Sequence, residues 1–284
     1  MTRSVHLNIL RAGWCQHPEC MADRGGRLAP VQFPALCGLI RHPDHGWILY
    51  DTGYAEHFFH ATRRLPESLY RSAVPVHLPA AEQLSAQLHA LGIGVDDIRY
   101  VIISHFHADH IAGLRNFRQA RFIALQADYQ HLESLRGKRW RATLGGHLPA
   151  LLPDDFGARL QLADSCAPCA LPGWMAPFEH GLDLFGDASL IGVPLPGHSA
   201  GQLGLFVPDA QGRPAFLVAD ACWSAAACVA GRLPAAPALW FASADRQRYQ
   251  RTYHGLGTLM AREPALAVLP SHCNRSWESF ANER

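Results

Sequence analysis

Four side chains able to bind a metal fall within six residues of one another in Ser104-His105-Phe106-His107-Ala108-Asp109-His110. They follow at once on Val101-Ile102-Ile103, an apolar run of the kind that forms a strand buried on both faces. A doubly buried strand cannot hold such a polar cluster along its length, so the cluster belongs at its end, where the chain leaves the sheet. In extended chain, side chains two residues apart point the same way, which pairs His105 with His107. If the chain turns into a helix near Ala108, Asp109 and His110 are presented together on its first turn. One segment then offers two imidazoles to one ion and a carboxylate with an imidazole to another. A solvated polar loop is the plain alternative and would be preferred for a single histidine. Four ligands at this spacing favour a metal site.

A mononuclear catalytic zinc takes about three protein ligands and leaves a position open, and a dinuclear site takes more. Three further candidates stand where strands should end. His198 lies in Gly197-His198-Ser199-Ala200-Gly201-Gln202, after the run Leu190 to Pro196. Asp220 closes Phe216-Leu217-Val218-Ala219, and His272 follows Leu266 to Pro270. Singly, such an Asp reads as a turn residue and such a His as structural. Their recurrence at four strand ends points to one shared site.

The rest of the chain supports sheets covered by helices. Strands are expected at Val5 to Leu10, Ala35 to Arg41 and Trp47 to Tyr50, the last two joined as a hairpin by His42-Pro43-Asp44-His45-Gly46. Others are expected at Phe122 to Leu125 and Leu203 to Val207. Leu84, Leu88 and Leu91 make one helical stripe that Gly92 ends, and Ser243 is expected to cap a helix carrying Leu256, Leu259 and Met260. The stretch 137–186, rich in Pro, Gly and aromatic residues, reads as a lid or insertion within a single domain spanning 1–284.

With 49% hydrophobic and 17% charged residues the chain can bury a sizeable core, and a formal net charge of +1 points to neither nucleic acid nor a membrane as partner. The N-terminal Met1-Thr2-Arg3-Ser4-Val5-His6-Leu7 lacks the apolar core of an export signal, so a cytoplasmic location is expected. Eight cysteines are too few for a disulfide scaffold. Cys166-Ala167-Pro168-Cys169 has no second pair nearby and reads as ordinary thiols, as do Cys15 and Cys20.

The segment HFHADH, with His198, Asp220 and His272 downstream, resembles the metallo-β-lactamase fold superfamily, a four-layer αββα sandwich of the α/β class. The likeness runs through Asp51-Thr52-Gly53, the GHSxG turn at His198, the strand-ending Asp220 and the final His272. Leu10-Arg11-Ala12-Gly13-Trp14-Cys15 and Phe33-Pro34-Ala35-Leu36-Cys37 are similar to the opening of the N-acyl-homoserine lactonase group. The resemblance implies that His105, His107 and His198 bind one ion, that Asp109, His110 and His272 bind a second, and that Asp220 bridges them. It implies two divalent cations, zinc before iron or manganese, with Asp51 orienting a ligand. The implied reaction is opening of a small lactone by a hydroxide held between the ions, with Asp109 passing a proton to the departing alkoxide. A homodimer rests on the resemblance alone.

One position departs from that group, in which a tyrosine three residues after the bridging Asp meets the substrate carbonyl. Here Asp220-Ala221-Cys222-Trp223 places Trp223, whose indole can donate a hydrogen bond but not accept one. Tyr54, next to Asp51-Thr52-Gly53, is a candidate to supply a hydroxyl instead, although most tyrosines beside turns have no catalytic role. Phe58, Phe59, Phe106, Trp140, Trp174, Phe178 and Trp223 are the candidates for an apolar substrate pocket, although each alone reads more readily as core or interface. The same fold hosts hydrolysis of other esters, thioesters and phosphodiesters, and a mononuclear iron, sulfur-oxidising relative shares many of these ligands. A non-catalytic binding protein has no need for all seven.

Overall fold

A computed structural model describes residues 3–241 and 243–282; Met1 and Thr2, which begin the segment read for an export signal, lie outside them. Two sheets carry the architecture. The first is built from β1 (His6–Pro18), β2 (Pro30–His42), β3 (Gly46–Tyr50), β4 (Val76–His77), β5 (Ile98–Ile102), β6 (Arg121–Ala124) and β7 (Leu160–Leu162), in the order β4-β1-β2-β3-β5-β6-β7. The second contains β8 (Ala167–Ala170), β9 (His180–Asp183), β10 (Ile191–Pro194), β11 (Leu203–Val207), β12 (Ala215–Ala219) and β13 (Ala267–Pro270), in the order β13-β12-β11-β10-β9-β8. Pairing from β3 through β7 is parallel, as is β12 with β13; the remaining neighbours are antiparallel.

The period-two geometry of a strand explains the layering. Leu39, Leu49, Val101 and Phe122 point outward from the first sheet onto helices that contribute Phe58, Leu84, Leu88 and Phe156. Their neighbours Ile40, Ile48, Ile102 and Ile123 point inward and meet Leu203, Leu205, Leu217 and Leu269 of the second sheet. On its far face the second sheet packs Phe206, Phe216 and Val218 against Tyr249, Tyr253, Leu256 and Leu259 of the helix Arg246–Arg262. The result is a four-layer αββα sandwich. Fully burying a side chain of this size is worth about 1.5–3 kcal/mol, so strands apolar on both faces are what hold four layers together.

The helix Leu84–Ala90 buries Leu84 and Leu88, whereas Leu91 stands just past its end and is exposed; Gly92 beyond it has φ +73°. The capping residue of the helix Arg246–Arg262 differs from the one expected. Asp245, not Ser243, accepts from the backbone N–H of Gln247 and Arg248, both at 3.0 Å. Ser243 instead closes the preceding helix Ala236–Phe241 by donating to the Leu239 carbonyl at 2.6 Å. The stretch 137–186 supplies β7, β8 and β9 to the two sheets, and within it the helix Arg139–Leu144 packs on the helix Glu67–Ala73. Among the described residues no helix is long and apolar enough to cross a membrane.

Candidate metal centre

Five chain segments leave the sheets at the same end of the sandwich. Asp51 follows β3, Ser104–His110 follows β5, His198 follows β10, Asp220 follows β12 and His272 follows β13. Two non-glycine residues there are held at positive φ, Asp51 at +60° and Ala219 at +46°, a conformation that costs about 1–2 kcal/mol outside glycine. Such strain persists where the surroundings over-determine it, and here it aims two carboxylates inward. Gly197 must be glycine: its φ is +129°, and an added Cβ would lie 2.1 Å from the Tyr249 nitrogen. His198 follows it directly.

His105 and His107 do point the same way. His105 Nε2 and His107 Nδ1 are 3.0 Å apart, and His198 Nε2 sits 3.0 Å from the first and 2.9 Å from the second. The chain turns helical over Ala108–Ile111, which places Asp109 and His110 beside a second cluster with His272. Asp109 Oδ2 lies 3.3 Å from His272 Nε2 and 3.9 Å from His110 Nε2. Asp220 stands between the groups. Its Oδ1 is 3.2 Å from His110 Nε2, and its Oδ2 is 3.2 Å from His272 Nε2 and 3.4 Å from His198 Nε2. In each of the triads His105/His107/His198 and Asp109/His110/His272 the ligand atoms lie within 4.8 Å of one another.

These positions suit cations better than they suit one another. His110 Nε2 and Asp220 Oδ1 are buried and face each other without the alignment of a hydrogen bond, and neither has a hydrogen-bond partner elsewhere. Three imidazole nitrogens converge on one point, where their lone pairs repel unless something positive lies between them. Burial, followed by the neighbouring imidazoles, holds His105 and His107 well below the ordinary histidine value, which leaves them neutral and able to ligate. Burial is the largest single effect and opposes charge on His110 and His272, but Asp220 and Asp109, joined at His110 by Asp51, together outweigh it and raise both. Asp220 is driven well below the usual carboxylate range: burial acts against this, and His272, His110 and His198 prevail.

The remaining nitrogens are fixed from behind. Asp51 Oδ2 lies 2.7 Å from His110 Nδ1, while its two oxygens also accept from Ser104 N and Oγ at 2.7 Å. The Pro34 carbonyl accepts from His272 Nδ1 at 2.7 Å, which turns Nε2 inward. Asp128, absent from the sequence-based candidates, ties two ligand loops together. Its buried carboxyl accepts from Phe106 N at 2.9 Å and Gly201 N at 3.3 Å.

Above these groups opens a cavity of about 400 Å³. His107, Asp109, His198, Asp220 and His272 form its floor; Tyr54, Trp140 and Trp223 stand in its walls with Phe33, Met21 and Leu69. The other proposed pocket aromatics lie elsewhere, Phe58 and Phe106 in the core and Phe59, Trp174 and Phe178 nearer the surface. Phe58 is fully buried against Tyr54, Phe59 and Tyr70; Phe59 stacks under Arg71; Phe106 packs between Tyr129 and Phe156. Trp174 and Phe178 lie against Phe206 and Phe216 on the far side of the second sheet. The Trp223 indole N–H donates to Asp220 Oδ2 at 2.9 Å. Tyr54 is buried with its hydroxyl toward the Cys15 thiol, and burial raises both, the thiol to about 12. The wall residues that sequence reasoning missed sit on segments remote in sequence, and only the Phe33-Pro34 motif marked one.

A third cluster, His42, His45 and Asp187, lies at the opposite end of the sheets. His42 Nδ1 accepts from the backbone N–H of Asp44 and His45 at 3.1 and 3.2 Å, so its proton is on Nε2, facing Asp187 at 3.1 Å and Ser189 at 2.8 Å. That is a hydrogen-bonded clamp between two hairpins, and it occupies both ring nitrogens of His42.

Residues 30–211 match the family model of the metallo-beta-lactamase superfamily. An N-acyl homoserine lactonase AttM from Azorhizobium caulinodans is 28% identical over 225 residues, 78% of this chain and 77% of the relative. A solved quorum-quenching N-acyl homoserine lactone hydrolase superposes with a TM-score of 0.68 at 19% identity, over 98% of this chain and 97% of its own. AidC, a dizinc quorum-quenching lactonase, superposes with a TM-score of 0.65 at 14% identity, over 96% and 89%. The chain belongs to the metallo-beta-lactamase superfamily and is a metal-dependent hydrolase related to the N-acyl homoserine lactonases.

Proposed function

We infer that this hydrolase is dinuclear and opens lactones of the acyl-homoserine-lactone kind. The observation that carries the reading is the sharing of Asp220 between two ligand triads at the floor of one cavity. His105, His107 and His198 would hold one divalent ion, Asp109, His110 and His272 the other, and Asp220 both. Zinc is the first expectation, because imidazole and carboxylate donors suit it and because AidC is a dizinc enzyme. Held there, two such ions would lower the pKa of a bound water and polarise a carbonyl.

The chain's own residues supply the rest. Asp109 is the one triad carboxylate in the cavity that is not the shared ligand, which supports a role for it in passing a proton to the departing alkoxide. The Trp223 N–H is committed to Asp220, so Trp223 acts as a wall that holds this carboxylate in place. The hydroxyl offered to a substrate carbonyl falls to Tyr54, which lines the cavity and as a phenol is a donor at neutral pH. The apolar walls accept an acyl chain and shed water from it. All eight cysteines are free thiols, which fits a reducing, cytoplasmic setting.

The test is a hydrolysis panel of acyl-homoserine lactones, simple esters, thioesters and phosphodiesters with zinc-loaded wild type and Tyr54→Phe. Lactone opening that falls about 10-fold or more in the variant supports the reading. Two bound metals with turnover of thioesters or phosphodiesters alone would remove the lactone and keep the site.

A further inference from the structure

One side of the cavity mouth differs from the rest of the surface. Thr62–Ala73 and Lys138–Leu144 meet there, joined by the Arg139–Glu67 ion pair and by Arg139 donating to the Leu65 carbonyl. Four large apolar side chains stand out into solvent: Leu65 is 60% exposed, Leu69 47%, Trp140 58% and Leu144 62%. Trp140 and Leu144 lie four residues apart on one helix and share a face. Around them are six exposed cations, Arg63, Arg64, Arg71, Lys138, Arg139 and Arg141, against the single carboxylate of Glu67. The rest of the chain is net acidic, with 19 Lys and Arg against 23 Asp and Glu.

A cationic collar around exposed apolar side chains calls for a partner with both characters. Exposed apolar patches on a soluble chain mark contact surfaces rather than accidents of packing. A second copy related by a two-fold axis would set these cations against the same cations, which repel. An anionic bilayer offers negative headgroups to the collar and an apolar interior to the leucines, and tryptophan favours that boundary. We propose that the cavity mouth docks on an anionic lipid surface, with Trp140 and Leu144 seated among the headgroups. An amphiphilic substrate then passes from the bilayer into the cavity with little exposure to water. The net charge, from which no membrane partner is expected, averages over the collar and conceals it. The proposal concerns where substrate is met, and its test does not depend on which bond the enzyme cleaves.

The experiment is flotation of the full chain with vesicles of phosphatidylcholine, alone or with about a third phosphatidylglycerol. The protein should float with the anionic vesicles only and come off in about 0.5 M sodium chloride. Tryptophan emission should shift to the blue on binding, and Trp140→Phe should abolish that shift. The triple variant Arg63→Gln, Arg64→Gln, Lys138→Gln should partition about 100-fold less, at about 1 kcal/mol per cation lost. None of these three residues lines the cavity, so turnover of a water-soluble substrate should hold. No flotation, equal binding to neutral vesicles, or full binding by the triple variant would overturn the proposal. A solution dimer dispersed by Trp140→Glu would also overturn it, by assigning the patch to a second copy.

Discussion

Asp128 touches neither the proposed ions nor the cavity, yet it holds both loops that present the first ligand triad. Replacing it with Asn keeps the volume but sets an amide N–H2 against one of the two backbone donors, Phe106 N or Gly201 N. A buried donor left without an acceptor costs about 1–3 kcal/mol. Taking about 2 kcal/mol, and about 2–3 °C per kcal/mol for a chain somewhat larger than 250 residues, the melting temperature should fall by about 5 °C. The site should lose more than that general loss implies. Phe106 lies between His105 and His107, and Gly201 lies three residues after His198, so slack at Asp128 spreads the imidazoles that converge within 3.0 Å. Groups that orient metal ligands are typically worth about 10–100-fold in affinity. Competition with a chromogenic chelator would read the affinity, and scanning calorimetry of the metal-free protein would read stability. A fall in melting temperature with unchanged metal affinity would refute the reasoning, because Asp128 would then be a core residue only.

Trp223→Phe removes the N–H donated to Asp220 Oδ2 and leaves an apolar wall. Metal affinity should drop about 10-fold while the preference among acyl chain lengths holds; unchanged affinity would return Trp223 to a packing role. Asp51→Asn should weaken metal binding at least as much, since it alters the group holding His110 Nδ1 at 2.7 Å, and equilibrium dialysis would expose an unaffected variant. The pH dependence follows from His110 and His272, which Asp220 raises against the opposing effect of burial. A raised folded value stabilises the metal-free protein below the ordinary 6.5 and loses that contribution as pH climbs through the raised value. Metal must displace those protons, so binding should release protons, and the gain in melting temperature on loading should be larger at about pH 8 than at about pH 6. A gain that is flat with pH would count against this.

How much of this was legible depended on whether a residue's job leaves a local mark. Ligands crowd together because one strand end serves two triads, and His105 to His110 stand side by side in the chain for that reason. The other ligands each follow an apolar run that the eye can end. Strands apolar on both faces announced a layered fold, and Leu39 with Ile40, or Val101 with Ile102, serve its two cores. Aromatic residues carry no such mark. Phe58, Phe106 and Phe178 are as apolar as Phe33, and burial in a core satisfies them as well as a cavity would. The cavity walls are assembled from segments about 70 residues apart, such as Leu69 and Trp140, whose meeting depends on an Arg139–Glu67 pair that spacing does not foretell. Asp128 lies inside a helix and looks like any surface carboxylate until the two loops fold onto it.

The central claim is that seven side chains hold two ions through one shared carboxylate. Elemental analysis of the purified chain, beside an Asp220→Ala variant checked for folding by circular dichroism, tests it most directly. The account predicts about two equivalents of zinc or another divalent metal in the wild type, and loss of metal with loss of hydrolysis in a folded variant. A single iron, no metal, or a folded variant that keeps both ions would contradict it.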